Sequence, residues 1–355
     1  MVRKAALRWK LGDKPNGRRI HTDMIPHLGG IAIVLGTFAG LAAVSLAGWD
    51  PGAGWRPMLQ RMLPAVGLIV VLGLVDDMKS LRVVQKLTIQ VIGSAVLAVS
   101  GFLLYTGFPG LDSVDVLVLL VSVAFLVGIS SSVNLIDGHD GLAAGICLIA
   151  GISFAVMAVM FGADVVLVVT LALIGACLGF LVFNFPPGKI YMGDTGSMFL
   201  GLMLALVACS LTSLQPAPRT FIAICFILGI PMLDAFLAIA RRLILRTPIF
   251  KADCLHMHHV LNELSFSPRQ TLIVMYSMQT FLAGLGLLVL KGFVFPLVIG
   301  VAFVLVVFVS YLRVMVVSRS SAPAAPKLST NAIPQLKEQR TSPEHVARAV
   351  GGQGR

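Results

Sequence analysis

Residues 114–142, VDVLVLLVSVAFLVGISSSVNLIDGHDGL, decide the fold class. Positions 114–134 are almost wholly apolar, long enough as a helix to cross a hydrocarbon core of roughly 30 Å. The stretch then ends in Asn134, Asp137 and Asp140 with Gly138 and Gly141 interleaved. Carboxylates beside lipid are costly unless they face water, a cation or a substrate, so acids at a membrane edge are functional candidates. The glycines let backbone approach a ligand closely. An EF-hand calcium loop does not fit, because the spacing departs from its 12-residue pattern. An ordinary turn explains Gly and Asp, but not Asn, Asp and Asp together at the edge of an apolar run.

The same pattern recurs along the chain. Hydrophobic residues make up 57% and charged residues 12%, against about a quarter charged in soluble domains. Ten apolar segments read as spans: 27–49, 60–76, 85–107, 114–134, 142–161, 164–184, 196–213, 219–240, 271–290 and 293–312. Open strands cannot satisfy their backbone in lipid, and the alternation of a barrel is missing, so the segments are helices. The expected fold is all-α, a polytopic domain over residues 1–318 followed by a disordered basic tail, 319–355, rich in Ser, Pro, Ala and Gln. The basic, polar amino terminus is no cleavable signal peptide. The five cysteines lack zinc-type spacing and receive no role.

The net charge of +11 does not call for a nucleic-acid partner, because basic residues at span ends set orientation. With ten spans both termini share one side, and the loops on that side hold 23 of the 27 Lys and Arg. The positive-inside rule makes that side cytoplasmic, and every acidic or histidine motif lies on it. Asp76 and Asp77 close the second span in GLVDDMKS, at the unfavourable end of a helix dipole unless Lys79 or a bound cation offsets them. As a pair they also read as a plain polar stop. Lys189-Ile-Tyr-Met-Gly-Asp194-Thr-Gly-Ser opens the seventh span, where Asp194 and Thr195 suit an N-cap and the helix start suits a phosphate. The longest motif-side loop holds Lys251, Asp253, Cys254 and His256-Met-His258-His259. A zinc site is one reading; donors to phosphate, or acid–base groups near neutral pH, are the other. Asp234 falls within the eighth span, just after Pro231, which should kink that helix.

Taken together, DKPNGRRIH with IPHLGG, GLVDDMKS, VNLIDGHDGLAAG, NFPPGKIYMGDTGS and PIFKADCLHMHH occur in one order over roughly residues 13–260. This set resembles the polyprenyl-phosphate N-acetylhexosamine-1-phosphate transferases, the membrane family that includes the phospho-MurNAc-pentapeptide translocase. Family members usually carry a further span ahead of the DKPN segment, where this chain has VRKAALRWKLG. The resemblance implies transfer of a sugar 1-phosphate from a UDP-sugar to a polyprenyl phosphate, with Mg²⁺ (Mn²⁺ as a substitute) and release of UMP. HMHH after PIFKAD resembles the branch that uses UDP-GlcNAc or a related donor; the translocase branch is the runner-up. A proton-coupled transporter is a third reading, disfavoured because the acids crowd one surface and no repeat is visible.

On this resemblance Asp194 and Asp76 are the expected metal ligands. Asp76, Asp77, Asp137, Asp140 and His259 are the expected catalytic groups. Lys79, Lys86, Asn134, His256, His258 and His21 are expected to hold substrate. The expected location is the bacterial cytoplasmic membrane, with the site and carboxyl terminus cytoplasmic; UDP-sugar and lipid are the partners, with room for a homodimer.

Overall fold

A computed structural model describes residues 12–13, 25–26, 29–52, 54–247 and 256–320. All ten apolar segments are helical. In chain order the helices are α1 (Gly29–Leu46), α2 (Trp55–Lys79), α3 (Val83–Val99), the single turn α4 (Pro109–Asp112), α5 (Asp115–Ile136), α6 (Leu142–Met160) and α7 (Asp164–Asn184). There follow α8 (Gly193–Leu214), α9 (Pro218–Ile227), α10 (Gly229–Ile244), the short α11 (Met257–Glu263), α12 (Pro268–Leu290) and α13 (Phe295–Ser320). Eight are long and apolar enough to cross a bilayer, or nine when the bent pair α9–α10 is one span, while α3 is a shorter apolar helix of 17 residues. The chain is therefore an all-helical, multi-pass membrane protein. Gly12–Asp13 pairs antiparallel with Ile25–Pro26, a two-residue bridge. The basic tail beyond residue 320 and His21 lie outside the described residues.

Helix α8 is the axis of the bundle. It is hydrophobic all round, as a fully enclosed helix must be, and 17 of its 22 residues are buried. Helices α1, α2, α5, α6 and α7 pack around it. In lipid the helices gain little from hydrophobicity and associate through close backbone approach, which selects small residues. Gly201 of α8 shows why: a Cβ there would sit 2.6 Å from Ser130 Cα of α5. Gly73 of α2 similarly meets the backbone of Thr195, fixing the depth at which the Asp76–Asp77 end reaches α8.

Two boundaries differ from the hydropathy pattern, each for a local reason. Helix α3 stops at Val99, not near 107, because Gly101 takes a φ of +101° that ends the helix. The eighth segment is broken, with α9 and α10 meeting at 78°. Pro231 lacks the N–H that the carbonyl of Ile227 would accept, as its position in the helix dictates. Gln279 of α12, fully buried, replaces that bond by donating Nε2 to Ile227 O at 2.6 Å. Its Oε1 accepts from Ile230 N at 3.2 Å, so both sides of the break are satisfied by one side chain. The kink expected from Pro231 is present, and its clamp comes from 49 residues away.

Candidate active site

The ends of α2 and α5 and the start of α8 meet around a cavity of about 640 Å³. It is lined by Asp76, Asp77, Asp137, His139, Asp140 and Asp194, with Asn184, Tyr191 and Met192 beside them. Five of the expected acids, from three separate motifs, thus share one chamber.

Asp76, only 3% exposed, closes α2. Its Oδ1 accepts from Leu81 N at 2.6 Å and its Oδ2 faces the ammonium of Lys86. Lys86 also reaches Asp194, 2.6 Å from Oδ2. One lysine therefore bridges the two carboxylates expected to bind metal. Asp77 has a different task. It accepts from Asp194 N at 2.7 Å, Thr195 N at 3.2 Å and Thr195 Oγ1 at 2.6 Å. The N-cap expected of Asp194 and Thr195 is supplied instead by Asp77, which leaves Asp194 facing the chamber in the first turn of α8. An acid suits that position, since helix N-termini favour negative charge.

Asp137 follows the last turn of α5. Loss of hydration in the recess pushes its carboxyl well above the usual range, and the charges of Asp194, Asp77 and Asp140 push it further. Asn134 accepts from Ser197 Oγ at 2.7 Å, tying α5 to α8. Asp140 accepts from Gly188 N at 2.9 Å. Two residues absent from the expected set hold this loop. Asn184 accepts from Gly141 N at 2.8 Å and donates to Ile190 O at 2.8 Å. Tyr276 donates to Gly141 O at 2.5 Å from α12. Asn184 stands inside the quoted NFPPGKIYMGDTGS run and could have been found there; Tyr276, 135 residues from its partner, gave no local signal.

The histidines form the flank. His256 Nδ1 lies 2.6 Å from Asp234 Oδ2, and Asp234 Oδ1 accepts from Met257 N at 2.8 Å. Asp234, an acid inside the eighth span that could pair with a neighbour or line the cavity, pairs with His256, orienting its ring, and starts α11. His258 is 1% exposed, and its Nε2 would lie 2.6 Å from a Cβ at Gly138, so the DGHDG turn rests on it. Its ring nitrogens have no hydrogen-bond partner among the described residues. Burial, then His259, pushes its pKa down to about 3, which leaves the ring neutral near pH 7. The His258 and His259 rings lie 4.1 Å apart, and His139 stands edge-on to His258 at 6.5 Å. Lys79 is exposed and outside the chamber lining. Lys251, Asp253 and Cys254 lie outside the described residues, and with them the zinc alternative that used Asp253 or Cys254.

Among the described residues no three His, Cys, Asp or Glu side chains are arranged to hold a metal unaided. The chamber fits Mg²⁺ in another way. Mg²⁺ is commonly held by one or two carboxylates, waters and substrate phosphates rather than by an all-protein cage. Asp76 and Asp194 already converge on one cation, the Lys86 ammonium, and the acids opposite are crowded with like charge.

Comparison with known proteins agrees with this geometry. Residues 59–212, which contain three of the chamber-lining motifs, match the model of glycosyl transferase family 4. A probable undecaprenyl-phosphate N-acetylglucosaminyl 1-phosphate transferase of Bacillus subtilis is 35% identical over 298 residues, covering 82% of this chain and 80% of its own. The chain belongs to glycosyl transferase family 4. Other members show its two branches. A decaprenyl-phosphate N-acetylglucosaminephosphotransferase of Mycolicibacterium smegmatis is 32% identical over 303 residues (78% of this chain, 74% of the relative). A phospho-N-acetylmuramoyl-pentapeptide-transferase of Desulforudis audaxviator is 30% identical over 298 residues (78% and 87%).

Proposed function

We propose that this family 4 member transfers N-acetylglucosamine 1-phosphate from UDP-GlcNAc to a polyprenyl phosphate, releasing UMP. The observation that carries the reading is the convergence of Asp76, Asp137, Asp140 and Asp194 on one chamber at the ends of spanning helices. A soluble nucleotide sugar and a lipid phosphate can meet only at such a place. The names of the first relatives support the GlcNAc branch over the pentapeptide branch. The bias of Lys and Arg toward the motif side supports a chamber open to the cytoplasm, in a bacterial inner membrane.

In the reaction, an oxygen of the lipid phosphate attacks the β-phosphorus of the UDP-sugar. One P–O bond forms and the bond to the UMP oxygen breaks, giving a lipid-diphosphate-linked sugar. Catalysis of phosphoryl transfer is mostly positioning and charge stabilisation. Asp194 and Asp76 would hold Mg²⁺, which would supply charge neutralisation for the diphosphate. Lys86 then exchanges its two carboxylates for phosphate oxygens as substrate enters. Asp137 and Asp140 face the nucleotide on a loop that Asn184 and Tyr276 hold still. His256, fixed by Asp234, neutral His258 and the adjacent His259 present imidazole rings on the flank. The lipid phosphate, with a second pKa of about 6, arrives mostly ionised, so little work is left for Asp76 as a base.

The test is UMP release by purified protein in the presence of polyprenyl phosphate, Mg²⁺ and UDP-GlcNAc, with UDP-MurNAc-pentapeptide in parallel. Release that requires all three components and prefers UDP-GlcNAc is expected. Preference for the pentapeptide donor would move the chain to the sister branch, and uptake of substrate into proteoliposomes without UMP would point to transport.

A further inference from the structure

A continuous helix through α9 and α10 would satisfy Ile227 O and Ile230 N within its own backbone, each bond linking residues four apart. This chain instead carries Pro231, which removes one of those donors, and a fully buried glutamine on another helix that replaces what is lost. An amide side chain is unfavourable in an apolar interior unless its groups are bonded, so Pro231 and Gln279 together gain the fold nothing over a run of ordinary helix formers. Helix α12 is also shaped for the break. A Cβ at Gly229 would lie 2.6 Å from Leu282 Cδ1, and one at Gly286 would lie 2.7 Å from Ala223 O. What the proline, the glutamine and this close packing secure is a direction: α10 leaves α9 at 78°.

That direction reaches the chamber. Asp234 stands one helical turn beyond Ile230, so its position follows from how the break is held. Its two carboxylate oxygens meet His256 Nδ1 and Met257 N, at 2.6 and 2.8 Å. The second contact starts α11, the helix that carries His258 against Gly138 of the chamber lining. Thr271 Oγ1 of α12 donates to Asn262 Oδ1 at 3.1 Å, close to the far end of α11. Tyr276, one turn before Gln279 on α12, holds the Gly141 carbonyl. One helix therefore fixes both walls, the acidic turn directly and the histidine flank through α10.

We infer that Gln279 is a positioning residue for the transfer reaction. By fixing the break it sets Asp234, and through Asp234 the ring of His256 and the start of α11, against the acidic turn that Tyr276 holds. The inference rests on the transferase reading. It parts from a purely structural role at one point: healing the helix should repair stability but not turnover.

Gln279→Met keeps the length of the side chain and removes both of its polar ends. In UMP release from UDP-GlcNAc this variant should lower kcat at least tenfold. KM for UDP-GlcNAc should move less than threefold, because the Asp137–Asp140 turn keeps its Tyr276 bond. Adding Pro231→Ala gives residue 231 an N–H for Ile227 O. The double variant should recover the thermal midpoint lost in Gln279→Met while kcat stays low, since nothing then holds α10 at the bend. In a His256→Ala background, Gln279→Met should lower the residual kcat less than twofold further, because changes that act through one contact do not add. Unchanged kcat in Gln279→Met overturns the inference, as does kcat restored together with stability in the double variant. A full tenfold loss in the His256→Ala background also overturns it. If Gln279→Met does not insert, the double variant decides by the same kcat criterion. No UMP from the unsubstituted protein would instead overturn the transferase reading, and this inference with it.

Discussion

Helix α5 carries an aspartate just beyond each end, and the two are treated in opposite ways. Ahead of its start, Asp112 accepts from Thr106 N and Thr106 Oγ1 at 3.0 Å and from Gly107 N at 2.6 Å, all within six residues. Its charge lies near the positive end of the helix dipole, where an acid is favoured. Past the other end, Asp137 lies at the negative end of the same dipole, with Asp77, Asp140 and Asp194 adding to the charge around it. The first aspartate closes a loop with local donors. The second belongs to a cluster whose negative charge exceeds what Lys86 can offset. Residue type and position past a helix end do not separate the two; the uncompensated charge does, and on the proposed reading it is where a cation and a diphosphate would bind.

The sharpest way to break this contrast is to neutralise the crowded end. Asp194→Asn and Asp137→Asn should each lower kcat for UMP release by roughly 10²–10³-fold or more, the scale of losing one preorganised electrostatic contact. Both proteins should still insert and elute as a single species, because relieving like-charge crowding does not threaten the fold. Normal turnover in either would sink the assignment of this end. Lys86→Met sharpens the contrast from the other sign. Without its lysine the Asp76–Asp194 pair should bind Mn²⁺ more tightly in a titration, even as turnover falls roughly tenfold or more for want of a phosphate contact. Weaker Mn²⁺ binding in the variant would mean that lysine and metal do not compete for these carboxylates.

Much of this was legible in the sequence. The ten apolar segments and the acids at their mouths follow from hydropathy and from the cost of charge in lipid, and the Pro231 kink follows from a missing N–H. What stayed hidden are bonds between distant segments. Asp77 caps a helix that begins more than a hundred residues later, Tyr276 holds the Gly141 carbonyl, and Asp234 orients His256 from inside the eighth span. No local pattern announces such partners, because only the packing around α8 brings them together. Asp194 and Thr195 show the converse error. Their residue types suited a cap, but a better acceptor, Asp77, arrives from outside the segment.

The histidine flank offers a smaller test, read in stability rather than rate. His258 is held neutral, its pKa lowered to about 3 from an ordinary 6.5. Below pH 6.5 the unfolded chain takes up a proton that the folded protein refuses, so this residue's contribution to stability is lost as pH falls from 6.5 toward 3. The apparent Tm should therefore decline over that window, and His258→Phe should flatten the decline. An equally steep fall in the variant would assign the acid sensitivity elsewhere.

Asp112 gives the smallest effect on chemistry and the cleanest control. Asp112→Asn turns an amide donor toward the N–H of Gly107 or toward Thr106, whichever way the side chain rotates. An unsatisfied donor in this half-buried loop should cost about 1–3 kcal/mol. The loop cannot relax freely, because Gly107 packs against the backbone at Ala217 and Pro218, the entry to α9. The thermal midpoint should thus fall while kcat and both KM values stay within twofold of the unsubstituted protein. If Asp112→Asn slowed turnover as Asp137→Asn does, the two ends of α5 would be coupled through the helix, and uncompensated charge would no longer suffice to tell a structural aspartate from a catalytic one.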